Sequence, residues 1–182
     1  GILLSDAGRL SEAIAAFNEA ARLRPQYARA WANLASAFLR TNQTASAQEA
    51  ASRAAAADPN NAHAFHMLGQ SLRVLERNTE AEQALRRALQ LQPQYVEVLL
   101  LLSRVLSAQF RYPEALEALQ RALGIAPGRA DLWVAAGELF VGQDDLDNAS
   151  AAFQRALAIR PNDLETRVRH ALMLPSIYLN TD

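Results

Sequence analysis

Bulky apolar and small residues recur along this chain at spacings of three and four, and the whole pattern repeats every 34 residues. Pro25, Pro59, Pro93, Pro127 and Pro161 set the register and divide the chain into blocks 28–61, 62–95, 96–129 and 130–163. A truncated block, 1–27, precedes them and a remnant, 164–182, follows. Counting from the start of a block, position 4 is bulky: Trp31, Phe65, Leu99, Trp133. Position 8 is small (Gly1, Ala35, Gly69, Ser103, Gly137) and position 11 bulky again (Leu4, Phe38, Leu72, Leu106, Phe140). Position 20 is always alanine (Ala13, Ala47, Ala81, Ala115, Ala149), and so is position 27 (Ala20, Ala54, Ala88, Ala122, Ala156). Between them position 24 reads Phe17, Ala51, Leu85, Leu119, Phe153. Positions 4, 8 and 11 share one helix face, as do 20, 24 and 27. Each block therefore predicts two amphipathic helices, A over about positions 1–14 and B over about 17–30, with the proline beyond the end of B. The small residues mark where helix backbones approach closely, and the larger side chains fill the space beside them.

Composition strengthens this all-α reading. The chain of 182 residues holds 38 alanines and 28 leucines against 17 Val, Ile and Thr together. Helix formers dominate and strand formers are scarce. Cysteine is absent, which excludes disulfides, thiolate catalysis and cysteine-ligated metals. Eighteen arginines and no lysine stand against 19 acids, so no global basic field invites nucleic acid. The longest apolar run, Val98 to Leu102, is far too short to span a membrane, and a cytoplasmic location is expected. No signal peptide is visible, but the chain opens on Gly1, so a leader on the natural protein stays open.

The repeat resembles the tetratricopeptide repeat (TPR), whose pattern is W-x2-L-G-x2-Y, then A-x3-F, then P, with a 34-residue period. Trp31-x2-Leu34-Ala35-x2-Phe38, Phe65-x2-Leu68-Gly69-x2-Leu72 and Trp133-x2-Ala136-Gly137-x2-Phe140 carry the first half. Ala13-x3-Phe17 and Ala149-x3-Phe153 carry the second. Block 96–129 departs most, with Leu99, Ser103 and Leu119 in place of aromatic, Gly and aromatic. The resemblance implies an α-solenoid of antiparallel helix pairs, a right-handed superhelix with helix A lining a concave groove.

In that family positions 2, 5, 6, 9, 12 and 13 face inward. The resemblance thus implies a peptide-binding groove of Arg29, Asn33, Ser36 and Arg40 in the first full block and His63, His66, Gln70 and Arg73 in the second. Glu97, Leu100, Leu101 and Arg104 follow in the third, and Asp131, Val134 and Glu138 in the fourth. The lining begins with Arg and amide groups, crosses an apolar centre at Leu100 and Leu101, and ends acidic. Block charges run 0, +1, +1, +1, −4 and 0. A peptide with an apolar anchor between an acidic and a basic stretch would suit such a surface, and Leu100→Asp with Leu101→Asp is expected to block it without unfolding. The lysine–asparagine clamp with which some TPR proteins hold a C-terminal carboxylate is not repeated, since there is no lysine.

His63 and His66 stand one turn apart on one helix, a spacing at which two imidazoles can share a metal, with Glu97 the nearest third ligand. Two histidines and a distant carboxylate fall short of a ligand set, so hydrogen-bonding histidines and no cofactor are expected. Arg86-Arg87 suits phosphate or, more simply, a solvated helix B face. No nucleophile motif or phosphate loop is present, and the chain is not expected to be an enzyme.

Gly1 falls at position 8, so the first helix A is expected to be cut within its length. Residues 164–182 begin another helix A that Pro175 is expected to stop, a partial capping helix with more apolar weight than a free tail carries. Its Ala171-Leu172-x-Leu174-Pro175-x-Ile177-Tyr178 stretch resembles the junction between repeats and catalytic domain in bacterial SPINDLY-type O-linked N-acetylglucosamine transferases. That resemblance implies the substrate-recognition arm of a glycosyltransferase. Two alternatives stand beside it: a free-standing adaptor in a bacterial assembly or secretion pathway, and a homo-oligomerisation module pairing through exposed solenoid ends.

Overall fold

The computed structural model describes residues 9–179, and among them it contains ten helices and no strand. They are α1 (Leu10–Leu23), α2 (Ala28–Arg40), α3 (Thr44–Ala57), α4 (Ala62–Val74), α5 (Asn78–Leu91), α6 (Val96–Ala108), α7 (Tyr112–Ile125), α8 (Ala130–Val141), α9 (Leu146–Ile159) and α10 (Leu164–Leu179). In every full block helix A opens at position 1 and helix B spans 17–30, as the periodicity predicts. The fold class is all-α, a succession of packed helix pairs, as expected. Gly1 and Leu4 lie outside the described residues.

Two compact units divide the chain after Val98, inside α6. In the first, α1 packs on α2, α2 on α3 and on α4, α3 on α4, and α4 on α5. In the second, α7 packs on α8, α8 on α9 and α9 on α10.

The turn between A and B has one geometry throughout. Position 15 adopts left-handed φ near 60° in Asn42, Glu76, Phe110 and Asp144. The next residue's N–H then reaches five residues back: Gln43 to the Phe38 carbonyl, Arg77 to Leu72, Arg111 to Leu106 and Asp145 to Phe140, at 2.8–3.0 Å. This is a Schellman closure, which satisfies carbonyls at the end of helix A. It is built here without glycine, at a cost of roughly 1 kcal/mol per turn for a side chain in the left-handed region.

The small positions do what the sequence pattern implies. The five alanines at position 20 are fully buried. At position 8 the residue matches the size of its neighbour at 24. A Cβ on Gly69 would lie 2.6 Å from the Leu85 side chain, and one on Gly137 would lie 2.6 Å from the Phe153 ring. Where position 24 is Ala51, position 8 is Ala35 instead. Phe153, Leu85 and Leu34 are buried outright, each worth about 1.5–3 kcal/mol of hydrophobic transfer. Position 4 is tied down from outside. The Trp31 and Trp133 indoles donate to the Pro25 and Pro127 carbonyls at 2.9 and 3.0 Å, and Arg53 and Arg155 lie over their rings at 4.8 and 4.9 Å.

One expectation fails. α10 does not stop before Pro175 but runs to Leu179. Proline's fixed φ is itself helical, so it removes one hydrogen bond and crowds the preceding turn without making the helix impossible.

Candidate functional site

The first unit's helix A face is polar and holds one hydrogen-bonded cluster. On α2 Arg29 and Arg40 are exposed, while Asn33 and Ser36 are half-buried. On α4 His63, His66, Gln70 and Arg73 are all half-buried, and Glu97 is exposed in the first turn of α6. One turn of α4 brings the two imidazole centroids to 6.1 Å. Both Nδ1 atoms meet the Tyr95 hydroxyl, His66 at 3.1 Å and His63 at 3.3 Å. The His66 ring also stands edge-on to Tyr95 at 5.1 Å. A single hydroxyl has one proton to give, so it donates to one imidazole and accepts from the other. The two histidines therefore take opposite tautomers.

Burial keeps both rings neutral at pH 7. It lowers the His63 pKa, and it lowers that of His66 to about 4, helped by His63 and opposed by Glu97. Burial and Glu97 raise the Tyr95 phenol in turn. Tyr95 is the residue that periodicity missed. It occupies position 34, between repeats, and reaches back 29 to 32 residues. The signal available was its place: Tyr27, Asn61, Arg129 and Asp163 share it, and Asn61 and Asp163 cap the helices that follow.

The second unit's helix A face holds two cavities of about 260 Å³ each, lined largely by inward positions. One lies over Ser103, Ser107, Ala108, Ala135 and Leu139. The other lies among Asp131, Val134, Arg160, Asp163, Glu165 and Arg169, and both share Arg104 and Glu138. The end read as acidic from sequence is not free acid. Arg129 grips Asp131 at 2.6 and 3.1 Å and, as the largest influence, holds its carboxyl below the usual range. Arg169 pairs with Glu138 and, at 2.7 Å, with Glu165. Asp163 accepts from the Thr166 hydroxyl at 2.9 Å, which lowers its pKa as well.

The apolar centre also changes character. Leu100 and Leu101 keep only 8% of their surface exposed. They are core residues first, and what they offer a ligand is a thin strip. The paired aspartate substitution would bury charge instead of merely blocking a surface.

Among the described residues no group of three His, Cys, Asp or Glu is placed to hold a metal. Nor is any helix of those residues long and apolar enough to cross a membrane. Arg86 pairs with Glu82 at 2.8 Å, and Arg87 lies over Phe65 and donates to the Pro59 carbonyl, so this pair belongs to the outer face of helix B.

Comparison with known proteins gives one consistent answer. Models of the tetratricopeptide repeat match residues 4–72 and 106–172, and a second such model matches 66–130. Among solved structures, a thermophilic TPR protein of Thermus thermophilus superposes with a TM-score of 0.81 at 26% identity, covering 96% of this chain and 95% of that one. YrrB, described as a TPR protein with an unusual peptide-binding site, shares the fold at TM-score 0.74 and 24% identity, covering 92% and 86%. MamA does so at 0.76 and 22%, covering 89% and 95%. No curated protein sequence matches significantly.

Proposed function

From its membership of the tetratricopeptide repeat family, to which this chain belongs, we propose that it captures extended peptide segments on its helix A faces. It is a protein-interaction scaffold and not an enzyme. The observation that carries the groove is the pair of cavities in the second unit, where Arg104, Ser107, Ala108, Asp131, Val134, Ala135, Glu138, Glu165 and Arg169 all hold inward positions. YrrB, a neighbour described by its peptide-binding site, supports the same reading. In the first unit, Arg29, Asn33, Ser36, Arg40, Gln70 and Glu97 supply the corresponding polar surface.

The test is an array of capped dodecapeptides probed with labelled protein. Saturable binding is expected, lost in Val134→Trp, which fills the cavity, and kept in Arg86→Ala on the outer face. No saturable binder, or binding indifferent to Val134→Trp, would overturn the reading.

The finer reading, a substrate-recognition arm of an O-linked N-acetylglucosamine transferase, rests on the segment from Ala171 to Tyr178. A sugar-nucleotide-binding domain encoded beyond Asp182 in the gene would support it, and a stop codon would favour the free-standing adaptor. The adaptor reading draws on similar chains matched over most of their length, such as the Thermus protein. A homo-oligomer is favoured by Leu164, Val168 and Leu172, which leave an apolar stripe of α10 open, Leu172 at 73% exposure. Light scattering across concentration decides that point, and a monomer throughout would remove it.

A further inference from the structure

The second unit presents four arginines and four carboxylates at one end of its helix A face, but they are not equally committed. Asp131 is held by Arg129, Glu138 and Glu165 by Arg169, and Asp163 by Thr166. Arg104 and Arg160 line the same cavity, and among the described residues neither guanidinium makes a hydrogen bond or ion pair. Arg160 acts only at longer range, lowering the pKa of Asp131 and Asp163. A guanidinium offers five donors in a planar fork that matches a carboxylate. The adjoining cavity, which Arg104 also borders, has an apolar floor of Ala108, Ala135 and Leu139.

We propose that this face recognises an internal Asp or Glu side chain of an extended peptide between Arg104 and Arg160, with a neighbouring apolar side chain seated over Ala135 and Leu139. The inference rests on peptide capture by the helix A face and adds the chemistry of what is captured. It reverses the expectation from block charge: the block of net charge −4 selects an acid, because its own acids on this face are already engaged. The surrounding carboxylates also set an upper limit. The site as a whole is neutral, its arginines matched by its acids, so a carboxylate adds a single negative charge to it. A dianionic phosphate would add twice that charge while facing the same acids at close range.

The experiment uses an array of acetylated and amidated decapeptides, followed by fluorescence anisotropy on the strongest binder. Peptides with Asp or Glu beside Leu, Ile or Val should be enriched. Changing the peptide's acid to its amide should weaken binding at least tenfold in the parent protein and less than twofold in Arg104→Gln/Arg160→Gln. Arg104→Lys should fall between, and Arg167→Gln, an exposed arginine outside both cavities, should behave as the parent. Binding without an acidic preference, or a preference that survives the double substitution, would overturn the inference and leave peptide capture standing. So would a requirement for a free C-terminal carboxylate, or tighter binding of phosphoserine in place of the acid. Absence of any peptide binding would remove the parent reading instead.

Discussion

The two units carry the same repeat, yet their helix A faces handle polar groups in opposite ways. In the first, Tyr95 draws His63 and His66 into a neutral network that uses the groups it contains. In the second, acids and arginines pair off unevenly and leave Arg104 and Arg160 available. Equivalent positions in equivalent helices thus give a neutral hydrogen-bonded cluster in one unit and a field of partly paired charges in the other. Part of the difference lies at position 34, although Asn61 of the first unit caps the helix after it as Asp163 does in the second. A tyrosine there bridges back to the preceding helix A, whereas Arg129 and Asp163 engage the helix that follows.

The largest expected effect comes from treating the apolar centre as surface. Leu100→Asp with Leu101→Asp places two carboxylates where only 8% of each side chain is exposed, and should cost well over ~3 kcal/mol, enough to lose the cooperative thermal transition by circular dichroism. A variant that melts like the parent would make these leucines groove and not core. Gly137→Ala comes next. It drives a Cβ to 2.6 Å from the buried Phe153 ring and should destabilise by about 1–3 kcal/mol in urea titration. Ala35→Gly, opposite the small Ala51, relieves no such clash and should cost only about 1 kcal/mol, through helix propensity.

Tyr95→Phe separates the two faces directly. It removes the hydroxyl shared by two imidazoles and should cost about 1–2 kcal/mol, while acidic-peptide binding in the second unit stays unchanged. The pH dependence follows from the same network. The His66 pKa is depressed to about 4 in the folded chain against about 6.5 unfolded, so the unfolded state takes up the proton first. Its contribution is intact above about pH 6.5 and declines toward about pH 4, with a slope approaching ~1.4 kcal/mol per pH unit. Urea titrations of parent and His66→Gln should diverge above about pH 6 and converge near about pH 4, and parallel curves would contradict a neutral, buried His66. The smallest effect belongs to the turns. Phe110 is 79% exposed at φ 60°, so Phe110→Gly should stabilise by about 1 kcal/mol and leave both faces unaltered.

Most of the fold was legible because its determinants are local and periodic. Positions 4, 8, 11, 20, 24 and 27 pack as their spacing implies, and the helices begin and end where the prolines place them. The site was legible only in outline. The resemblance picked residues that line the second unit's cavities, but it could not show that Glu138 holds Arg169, a pair that joins α8 to α10. It placed Leu100 and Leu101 on the groove without showing how little of them remains exposed. Periodicity also overlooked Tyr95, which works from between the repeats, and gave Pro175 more power over α10 than one missing N–H confers.

The contrast between committed and open arginines is measurable without any ligand. In guanidinium NMR of the free protein at low temperature, the Nε–Hε of Arg129 and the Nη–H groups of Arg169 should exchange slowly with solvent, while the corresponding groups of Arg104 and Arg160 exchange fast. Four arginines exchanging alike, or Arg104 and Arg160 protected in the free chain, would contradict the account.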